Sequence, residues 1–463
     1  MRDLASRLRA IVQQDRARAS VQSGESSEIR ELTYVPDGDA MEPAVAGMEP
    51  AVFRPPGTAL DVVASLLGGT AERTGSHGFV SIDRAWDAHD AHGRRRLDSY
   101  TIAPGAPVRL FDPRVRLADD WCSRIVFFDI ETTGLSGGAG TVAFLAGCGW
   151  FEDGGFRVRQ FFLAGPAGES SMLDALARIF DDATLLVTYN GRTFDVPTMD
   201  TRWAFHRRES AAEALPHFDM LPPARRLWGG ARTHVSTPPA SCTLSSIERS
   251  ILGFHRLNDV AGFEIPSRYF QFLRTGDPGV VAGVLEHNRH DVISLALITA
   301  HALQLAADGP EGCREPCEQA ALGRLYERAG DLSRAADAYE LAARHADREL
   351  RALALARLAV LHRRAARHGE AAAAWQDVFE ATWSPHGPES PLGWRAAEAL
   401  AIHHEHRARD LDRAKRYAQA LERNSRGRHA ESARHRLSRI DRKLTSSRAS
   451  TEDPVPGSLF PSG

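Results

Sequence analysis

Lysine is almost missing from this chain of 463 residues, which contains only Lys415 and Lys443. Arginine supplies the other basic residues and alanine is abundant, a bias typical of a GC-rich genome, so arginine content alone carries no argument for nucleic-acid binding. The 57 basic and 60 acidic residues leave a formal net charge of −3. This balance excludes a chain that is strongly basic overall, and charge has to be examined locally.

Cysteines are few, and long apolar runs are missing near the start. The five cysteines are an odd number in a long chain, so no disulfide framework is predicted and a reducing compartment is the simplest setting. Basic residues near the start are not followed by an apolar h-region, so no secretory signal is expected. The apolar run at residues 62–67 is too short to span a bilayer. These absences predict a cytoplasmic protein without a membrane segment.

The first 120 residues predict little regular structure. In residues 1–58 a short amphipathic helix precedes a Ser-, Gly-, Glu- and Pro-rich stretch, which predicts a linker or disorder. Residues 59–120 predict a small accessory element. It has a helical start and strand-like pieces at 79–82 and 108–111, and no chemistry can be assigned to it.

Residues 121–306 alternate between strand and helix patterns, which predicts an α/β layered domain. The strand candidates have β-branched and aromatic runs, and the helix candidates have apolar residues at helical spacing. The strands are RIVFFDIE, TVAFLAGCGWF, FRVRQFFLAG and LLVTYN, and the helices are SSMLDALARIF and FDVPTMDTRWAFHR.

Residues 315–444 predict an all-α region of helical hairpins, and residues 445–463 predict a disordered tail. Small and large apolar residues recur there in a tetratricopeptide-like pattern, and such hairpins bury their faces against one another. The pattern comprises Leu322, Gly323, Tyr326, Gly330, Ala335, Tyr339 and Ala342, then Leu358, Ala359, His362, Ala371, Trp375 and Val378, and a weaker copy at Ala414, Ala418 and Leu421.

Four carboxylates lie in the α/β segment at positions suited to metal chemistry. In the strand IVFFDIETTGL, Asp129 and Glu131 are two residues apart and therefore share one face. Asp195 falls in the first turn of a helix after a strand, where the helix dipole favours an acid. Asp291 lies four residues after His287 on a later helix, so the two share a face. Carboxylate oxygens suit magnesium or manganese.

Each of these elements also has a plain structural interpretation when it is taken alone. Asp129 and Glu131 could be a solvated pair at a strand edge, and Asp195 could be a helix-start acid. His287 and Asp291 could belong to a polar helix surface. The order and context of the three elements together favour a functional site.

The segment resembles the DnaQ-like exonucleases of the ribonuclease H-like superfamily, and within it the YprB-like bacterial branch. The resemblance covers residues 125–300 and implies a mixed central sheet flanked by helices. The segments that carry it are FFDIETTGL, TYNGRTFDVP, HFDMLPPARRLW, CTLSSIERSILGFHR, EIPSRYF and HNRHDVISL.

This resemblance implies a 3′→5′ exonuclease that uses two Mg²⁺ or Mn²⁺ ions on DNA or RNA. Asp129, Glu131, Asp195 and Asp291 would hold the ions, one readying a water for in-line attack and the other stabilising the leaving oxygen. A turn with free backbone N–H groups would lie against the terminal nucleotide. Two further residues, later in the chain, would line the nucleotide pocket. These substrate-binding residues would be Thr132, Thr133, Gly134 and Leu135, then Asn190 and Phe194.

One position departs from the family pattern. The superfamily has either a tyrosine four residues before the last aspartate or a histidine five before it. Here His287 is four before Asp291, and Glu286 is five before. We expect His287 to orient the water or act as general base, as the fifth catalytic residue.

Some features leave alternatives open. Asp219 could support the metal ligands or be structural, and the structural role is favoured. Arg256 could meet a phosphate, but arginine is so common in this chain that an ordinary role is favoured. Residues 401–444 hold thirteen Lys or Arg against six Asp or Glu, which suits either a nucleic-acid contact or a solvated face. The competing hypothesis to a nuclease is an interaction protein whose repeats recruit a partner such as a helicase.

Overall fold

The computed structural model describes residues 60–134, 140–229, 241–424 and 428–449. The helix and linker predicted for residues 1–58, the residue Leu135 and the chain after residue 449 lie outside the described residues, so those predictions are untested.

A mixed β-sheet forms the centre of the described chain. The strands of this part are β1 (Thr70–Thr74), β2 (His77–Trp86), β3 (Ala91–His92), β4 (Arg95–Arg96), β5 (Ile125–Thr132), β6 (Ala143–Glu152), β7 (Gly155–Phe162), β8 (Leu185–Thr188) and β9 (His217–Asp219). Seven of them form one sheet in the order β1-β2-β7-β6-β5-β8-β9, and β3 pairs with β4 in a separate hairpin. β5 lies inside the sheet, between β6 and β8, so it is paired on both sides.

The pairing changes direction at β5. β8 and β9 run parallel to β5 and to each other, whereas β1, β2, β7, β6 and β5 pair in antiparallel fashion. A tight turn joins β6 to β7, with positive φ at Asp153 and Gly154. Asp-Gly is the residue pair that such hairpin turns favour. The predicted mixed sheet is confirmed.

Helices cover both faces of the sheet. They are α1 (Leu60–Leu67), α2 (Val108–Phe111), α3 (Glu169–Asp181), α4 (Asp195–Phe205), α5 (Leu221–Leu227), α6 (Leu244–Ile247), α7 (Ile265–Thr275) and α8 (Gly279–Asp308). A π-helical turn, Glu248–Leu252, follows α6. On one face Phe128 of β5 packs edge-on against Phe180 of α3, and on the other Phe127 shares a core with Val292 of α8.

The helix α8 is long and apolar enough to cross a membrane by composition alone, but 78% of its most apolar window is buried inside the protein. Its apolar residues contact the sheet and neighbouring helices, and a central helix packed in this way needs apolar residues on most sides. The hydropathy of α8 is therefore explained by its place in the core.

Residues 59–120 are not a separate accessory element. Both β1 and β2 extend the central sheet, and β2 includes the strand predicted at 79–82. The second predicted strand, Val108–Phe111, is wrong, because these residues form the helical turn α2. Val108 and Phe111 are three residues apart and bury their side chains together in the core, which favours a helical turn over a strand.

The rest of the described chain is a series of packed helices, with one two-stranded hairpin of Trp383–Ser384 and Gly387–Pro388 and one π-helical turn, His404–Ala408. The helices are α9 (Pro316–Ala329), α10 (Leu332–Ala342), α11 (Arg348–Arg364), α12 (His368–Thr382), α13 (Pro391–His403), α14 (Leu411–Asn424) and α15 (Arg428–Ala449). Most positions of the predicted small-and-large pattern are buried, including Tyr326, Tyr339 and Trp375. Gly323 is required because a Cβ there would lie 2.6 Å from the Tyr339 ring. The tetratricopeptide assignment itself stays a prediction.

The helical region packs directly onto the α/β region. Leu322 and Tyr326 of α9 belong to the same core as Leu303 and Ala306 of α8. The Tyr326 hydroxyl donates to the Ala306 carbonyl at 3.0 Å. At the far end α15 continues to Ala449, so the tail predicted from residue 445 begins as helix.

Candidate metal centre

The acid pair of β5 lies as the strand period predicts. Asp129 and Glu131 are half-buried, while Phe128 and Ile130 lie in the core on the opposite face. The pairing register of β5 with β6 shifts between Glu131 and Thr132. Such an irregularity re-aims side chains near a strand end.

A buried amide network holds Asp129. Asn288 of α8 donates through Nδ2 to the Asp129 carboxylate at 2.8 Å, and Gln160 donates to the Asn288 amide oxygen at 2.8 Å. Gly147 lies opposite Asp129 on β6, and a Cβ there would be 2.3 Å from the Asn288 amide oxygen. The glycine therefore lets α8 approach the sheet closely enough for Asn288 to reach the acid.

Asp195 is the first residue of α4 and is 5% exposed. The backbone N–H groups of Asp195 and Ile130 act to lower the pKa of its carboxyl, so the acid lies near β5. Ile130 lies beyond the parallel pairing of β5 with β8, which includes Ile125 to Phe127.

The helix α8 brings two more groups to the acid pair. The Nε2 atom of His287 lies 3.4 Å from Asp291 Oδ2 and 3.9 Å from Glu131 Oε1. Among the described residues, Glu131, His287 and Asp291 offer ligand atoms that all lie within 4.8 Å of one another. This is close enough for one cation to contact all three.

Asp259 orients His287. The Nδ1 atom of His287 lies 2.7 Å from Asp259 Oδ1. Because a carboxylate only accepts, Nδ1 carries a proton towards Asp259, and Nε2 is the ring atom that faces Glu131 and Asp291. A histidine held by a carboxylate in this way is suited to metal ligation or proton acceptance.

Arg256 is buried between carboxylates, a position that its sequence context did not predict. Its side chain is 5% exposed. It donates to both oxygens of Glu248 at 2.7 and 2.9 Å, and it also contacts Asp291. The charge and fork geometry of arginine suit this position between two acids.

The electrostatics of the cluster favour a cation. Burial raises the pKa of Asp129 well above its usual value, and the neighbouring charges of Asp291, Glu131 and Asp195 raise it further. Burial and the charges of Asp291 and Asp195 likewise raise the pKa of Glu131. Burial raises the pKa of Asp195 to about 7, against the opposing effect of its two backbone hydrogen bonds. A divalent cation would relieve this repulsion, so the oxygen-rich donor set fits magnesium or manganese.

The turn predicted to bind the terminal nucleotide is partly occupied by its own hydrogen bonds. The Thr132 hydroxyl donates to the Gly134 carbonyl at 2.8 Å, and the Thr133 hydroxyl accepts from the Val142 N–H at 3.0 Å. The Thr133 N–H donates to the Val142 carbonyl, so it is not free as expected. Contact of this turn with a nucleotide stays a prediction.

The second part of the predicted nucleotide pocket follows β8. Asn190 is exposed in a left-handed conformation, and Phe194 is half-buried just before α4. Asp219 accepts the backbone N–H groups of Asn190 and Arg192 at 2.8 and 3.1 Å. The carboxylate of Asp219 therefore shapes the turn, which fits the structural role expected for it.

Sequence reasoning missed three residues that support the site: Asn288, Asp259 and the buried Glu248. Asn288 directly follows His287, and Asp259 lies three residues after Arg256, yet neither spacing distinguishes them from ordinary polar residues. In the sequence Glu248 fits only a helix-capping pattern, whereas its carboxylate is 2% exposed and ion-paired. A buried acid beside a buried arginine is visible only after folding.

Comparison with known proteins supports the fold of this segment. Residues 126–303 match the family model of the RNase_H superfamily. The uncharacterized protein YprB of Bacillus subtilis (strain 168) is 35% identical over 206 residues, which cover 44% of this chain and 48% of that protein. The chain thus spans about half the length of that curated relative.

A solved structure is also similar at low identity. The family B DNA polymerase from the hyperthermophilic archaeon Pyrobaculum calidifontis shares 14% identity with a TM-score of 0.31, over 53% of this chain and 29% of that one. That score is too low to support an argument. Residues 126–303 are therefore similar to the RNase_H superfamily in their family match, and their mixed sheet with flanking helices fits such a fold.

Proposed function

We propose that this protein is a metal-dependent nuclease, a 3′→5′ exonuclease of the type with four acidic metal ligands, acting on DNA or RNA in the cytoplasm. The observation that carries the proposal is the convergence of Glu131, His287 and Asp291 within 4.8 Å, beside Asp129, in a ribonuclease H-like domain. Acids that repel one another and have raised pKa values are typical of functional sites.

Asp129, Glu131, Asp195 and Asp291 would hold two Mg²⁺ or Mn²⁺ ions. Bound there, the ions would supply Lewis-acid stabilisation of the charged oxygens in phosphodiester hydrolysis. The oxygen ligands and their negative charge suit these hard cations, and the raised pKa values mean that cation binding would displace protons.

His287 would accept the proton of the attacking water. Its Nδ1–H donates to Asp259, and its Nε2 atom faces Asp291 and Glu131 at 3.4 and 3.9 Å. Asn288 would keep the Asp129 carboxylate aimed into the site, and the turn shaped by Asp219 would support the nucleotide. Preorganised groups of this kind reduce the rearrangement needed in the transition state.

A panel of DNA and RNA oligonucleotides, labelled at the 5′ or the 3′ end, tests the proposal with Mg²⁺ and with Mn²⁺. Product ladders report both substrate and polarity. We expect metal-dependent shortening from the 3′ end and its loss in the double variant Asp129→Ala plus Glu131→Ala. Equal activity of the wild type and this variant would refute the assignment.

The second candidate is a nucleic-acid-binding or protein-interaction scaffold with an inactive nuclease fold, whose repeats recruit a partner such as a helicase. The local charge of the last helices favours it: residues 401–444 hold thirteen Lys or Arg against six Asp or Glu. Arg413, Arg416 and Arg423 are exposed at spacings that place them on one face of α14.

Titration with Mn²⁺ separates the two candidates. A working nuclease should bind the ion through Asp129 and Glu131, whereas an inert scaffold should show no carboxylate-dependent binding. Oligonucleotide binding without metal binding, weakened by salt, would favour the scaffold.

A further inference from the structure

Arg256 occupies an unusual place for a cation beside a metal centre. Its Nη2 atom contacts Asp291 Oδ1, while Nε and Nη2 donate to Glu248 at 2.7 and 2.9 Å. Its Nη1 atom lies 3.5 Å from Asp259 Oδ2 and 3.4 Å from the His287 ring nitrogen. One buried guanidinium thus contacts a proposed metal ligand and both residues of the Asp259–His287 pair.

This position is not adapted to a substrate phosphate. The Arg256 side chain is 5% exposed, and its fork is already used by Glu248 and Asp291. A guanidinium that met a phosphate would need donors facing the open side of the site. The charge of Arg256 therefore acts on the acids themselves.

A buried chain of side chains fixes Arg256. The Ser294 hydroxyl of α8 donates to Glu248 Oε2 at 2.7 Å, and its oxygen lies 2.9 Å from His92 Nε2 in the β3–β4 hairpin. The His92 ring stacks on Phe254 at 3.8 Å. Because Ser294 fixes the Glu248 carboxylate and Glu248 in turn binds Arg256, the guanidinium is held in place beside Asp291.

The β3–β4 hairpin also holds the backbone on which Glu248 lies. The Arg94 N–H donates to the Leu252 carbonyl at 2.8 Å. Gly93 has φ +70, and a Cβ there would lie 2.2 Å from that same carbonyl oxygen. The close approach therefore requires glycine, and it connects residues 59–120 to the centre of the site.

We infer that Arg256 is a built-in counter-ion of the acidic cluster, which neutralises Asp291 and lowers the affinity of the site for a divalent cation. The inference rests on the proposed metal centre. A fixed positive charge in contact with a ligand carboxylate both repels an incoming cation and competes for the same oxygen lone pairs. Arg256 is thus a positioning residue that tunes metal occupancy.

The test is Mn²⁺ titration calorimetry on the double variant Glu248→Gln plus Arg256→Met. Both charges are removed together because Arg256→Met alone would leave Glu248 as an uncompensated buried charge. The glutamine amide oxygen would still accept the Ser294 hydrogen bond. We expect the dissociation constant for Mn²⁺ to fall by about tenfold or more relative to the wild type, since removing a nearby like charge strengthens cation binding.

Two controls isolate the effect of position. Glu248→Gln alone retains the cation at Asp291 and should show no gain in affinity. Arg249→Met removes one positive charge from the exposed side of the same helical turn, and its dissociation constant should stay within about twofold of wild type, because solvent and salt screen exposed charges.

The outcomes separate the inference from the proposed function. Equal Mn²⁺ affinity of the wild type and the folded double variant would overturn the inference while leaving the metal centre intact. Weaker binding by the double variant would also overturn it, because Arg256 would then serve only to hold Asp291. No binding by either protein would overturn both proposals.

A second variant tests the inference if the double variant Glu248→Gln plus Arg256→Met does not fold. The double variant Glu248→Gln plus Arg256→Gln removes the same two charges but keeps a side-chain donor at position 256. Circular dichroism and thermal unfolding establish that each variant is folded. A folded Glu248→Gln plus Arg256→Gln protein with tighter Mn²⁺ binding supports the counter-ion, and one without a gain contradicts it.

Discussion

Two clusters of ionisable side chains in the described part of this chain differ in how far cations compensate their carboxylates. In the helical region the Glu405 side chain is fully buried and receives three cations. Arg439 donates to both its oxygens at 2.6 and 2.7 Å, and Lys443 donates at 2.8 Å. The hydrogen bond from Arg439 is the main reason that the pKa of Glu405 is lowered to about 2.

In the candidate metal centre the balance of charges is reversed, because acidic side chains outnumber cations. Asp129, Glu131, Asp195 and Asp291 lie together, and Arg256 is a cation shared among several acids. Burial and mutual repulsion raise the pKa of Asp129 and Glu131 well above their usual values. Burial is the largest cause for both residues.

The difference contrasts a compensated cluster with the cluster that we propose to be functional. Cations of α15 around Glu405 attach this helix to the π-helical turn His404–Ala408 that follows α13, so the charges there contribute to folding. The acids of the candidate metal centre are left undercompensated, which costs stability and is typical of sites that a ligand completes. The following predictions test whether this contrast is real, from the largest expected effect to the smallest.

Replacing Asp129 with asparagine should abolish activity without harming the fold. The asparagine oxygen can still accept from Asn288, but a neutral amide is a poor ligand for a hard cation, so we expect metal-dependent cleavage to fall roughly a thousandfold. The measurement is the initial cleavage rate with thermal unfolding in parallel. Asp153→Asn, at the exposed β6–β7 turn, is the matched control. A fully active Asp129→Asn protein would contradict the functional role proposed for the acidic cluster.

Replacing His287 with glutamine should lower the cleavage rate about a hundredfold, because the proposed proton acceptor is lost. His290→Gln is the control on the same helix, since His290 packs edge-on against Phe254 rather than facing the acids. Single-turnover rates under saturating metal measure the chemical step. If both variants lose activity equally, the role assigned to the Asp259–His287 pair is wrong.

Replacing Glu405 with glutamine should destabilise the protein by about 1–3 kcal/mol, because buried charge-assisted hydrogen bonds are lost. Cleavage by the folded fraction should not change. Denaturant unfolding measures the free energy, with the exposed Glu431→Gln of the last helix as control. A loss of activity with unchanged stability would contradict the structural role of this cluster.

The two clusters should give opposite pH dependences of stability. The raised pKa of Asp195, about 7, means that the metal-free fold loses stability as the pH rises from about 4 to 7. The lowered pKa of Glu405 means that its contribution is present above about pH 4.5 and is lost as the pH falls towards 2. Each group contributes at most about 1.4 kcal/mol per pH unit.

Denaturant unfolding at several pH values, with Asp195→Asn and Glu405→Gln as probes, measures these slopes. Between pH 4 and 7, Asp195→Asn should gain stability relative to the wild type as the pH rises. Saturating Mn²⁺ should stabilise the wild type more at pH 8 than at pH 6. Parallel curves for all three proteins would show that the two clusters do not differ.

The parts of the site that were predictable depend on local periodicity. The shared face of Asp129 and Glu131 follows from the strand period, and the shared face of His287 and Asp291 follows from the helix period. The roles assigned to these residues in metal and nucleotide binding stay predictions.

What was not predictable depends on contacts between distant parts of the chain. Asn288 reaches Asp129 across 159 residues, and Asp259 reaches His287 across 28. The helical turn Val108–Phe111 was mistaken for a strand because four residues show too little periodicity to distinguish the two. Its burial in a core shared with β5 and α8 decided the outcome.

By itself, the sequence determined the elements that carry the acids, because hydrophobic period and turn chemistry act within a few residues of each position. Only the tertiary structure decided which charges are compensated. Both Arg256 and Arg439 are arginines in arginine-rich surroundings, yet one lies against the metal centre and the other attaches the last helix. Burial sets the strength of the electrostatic interactions that these charges make, and burial depends on how the whole chain packs.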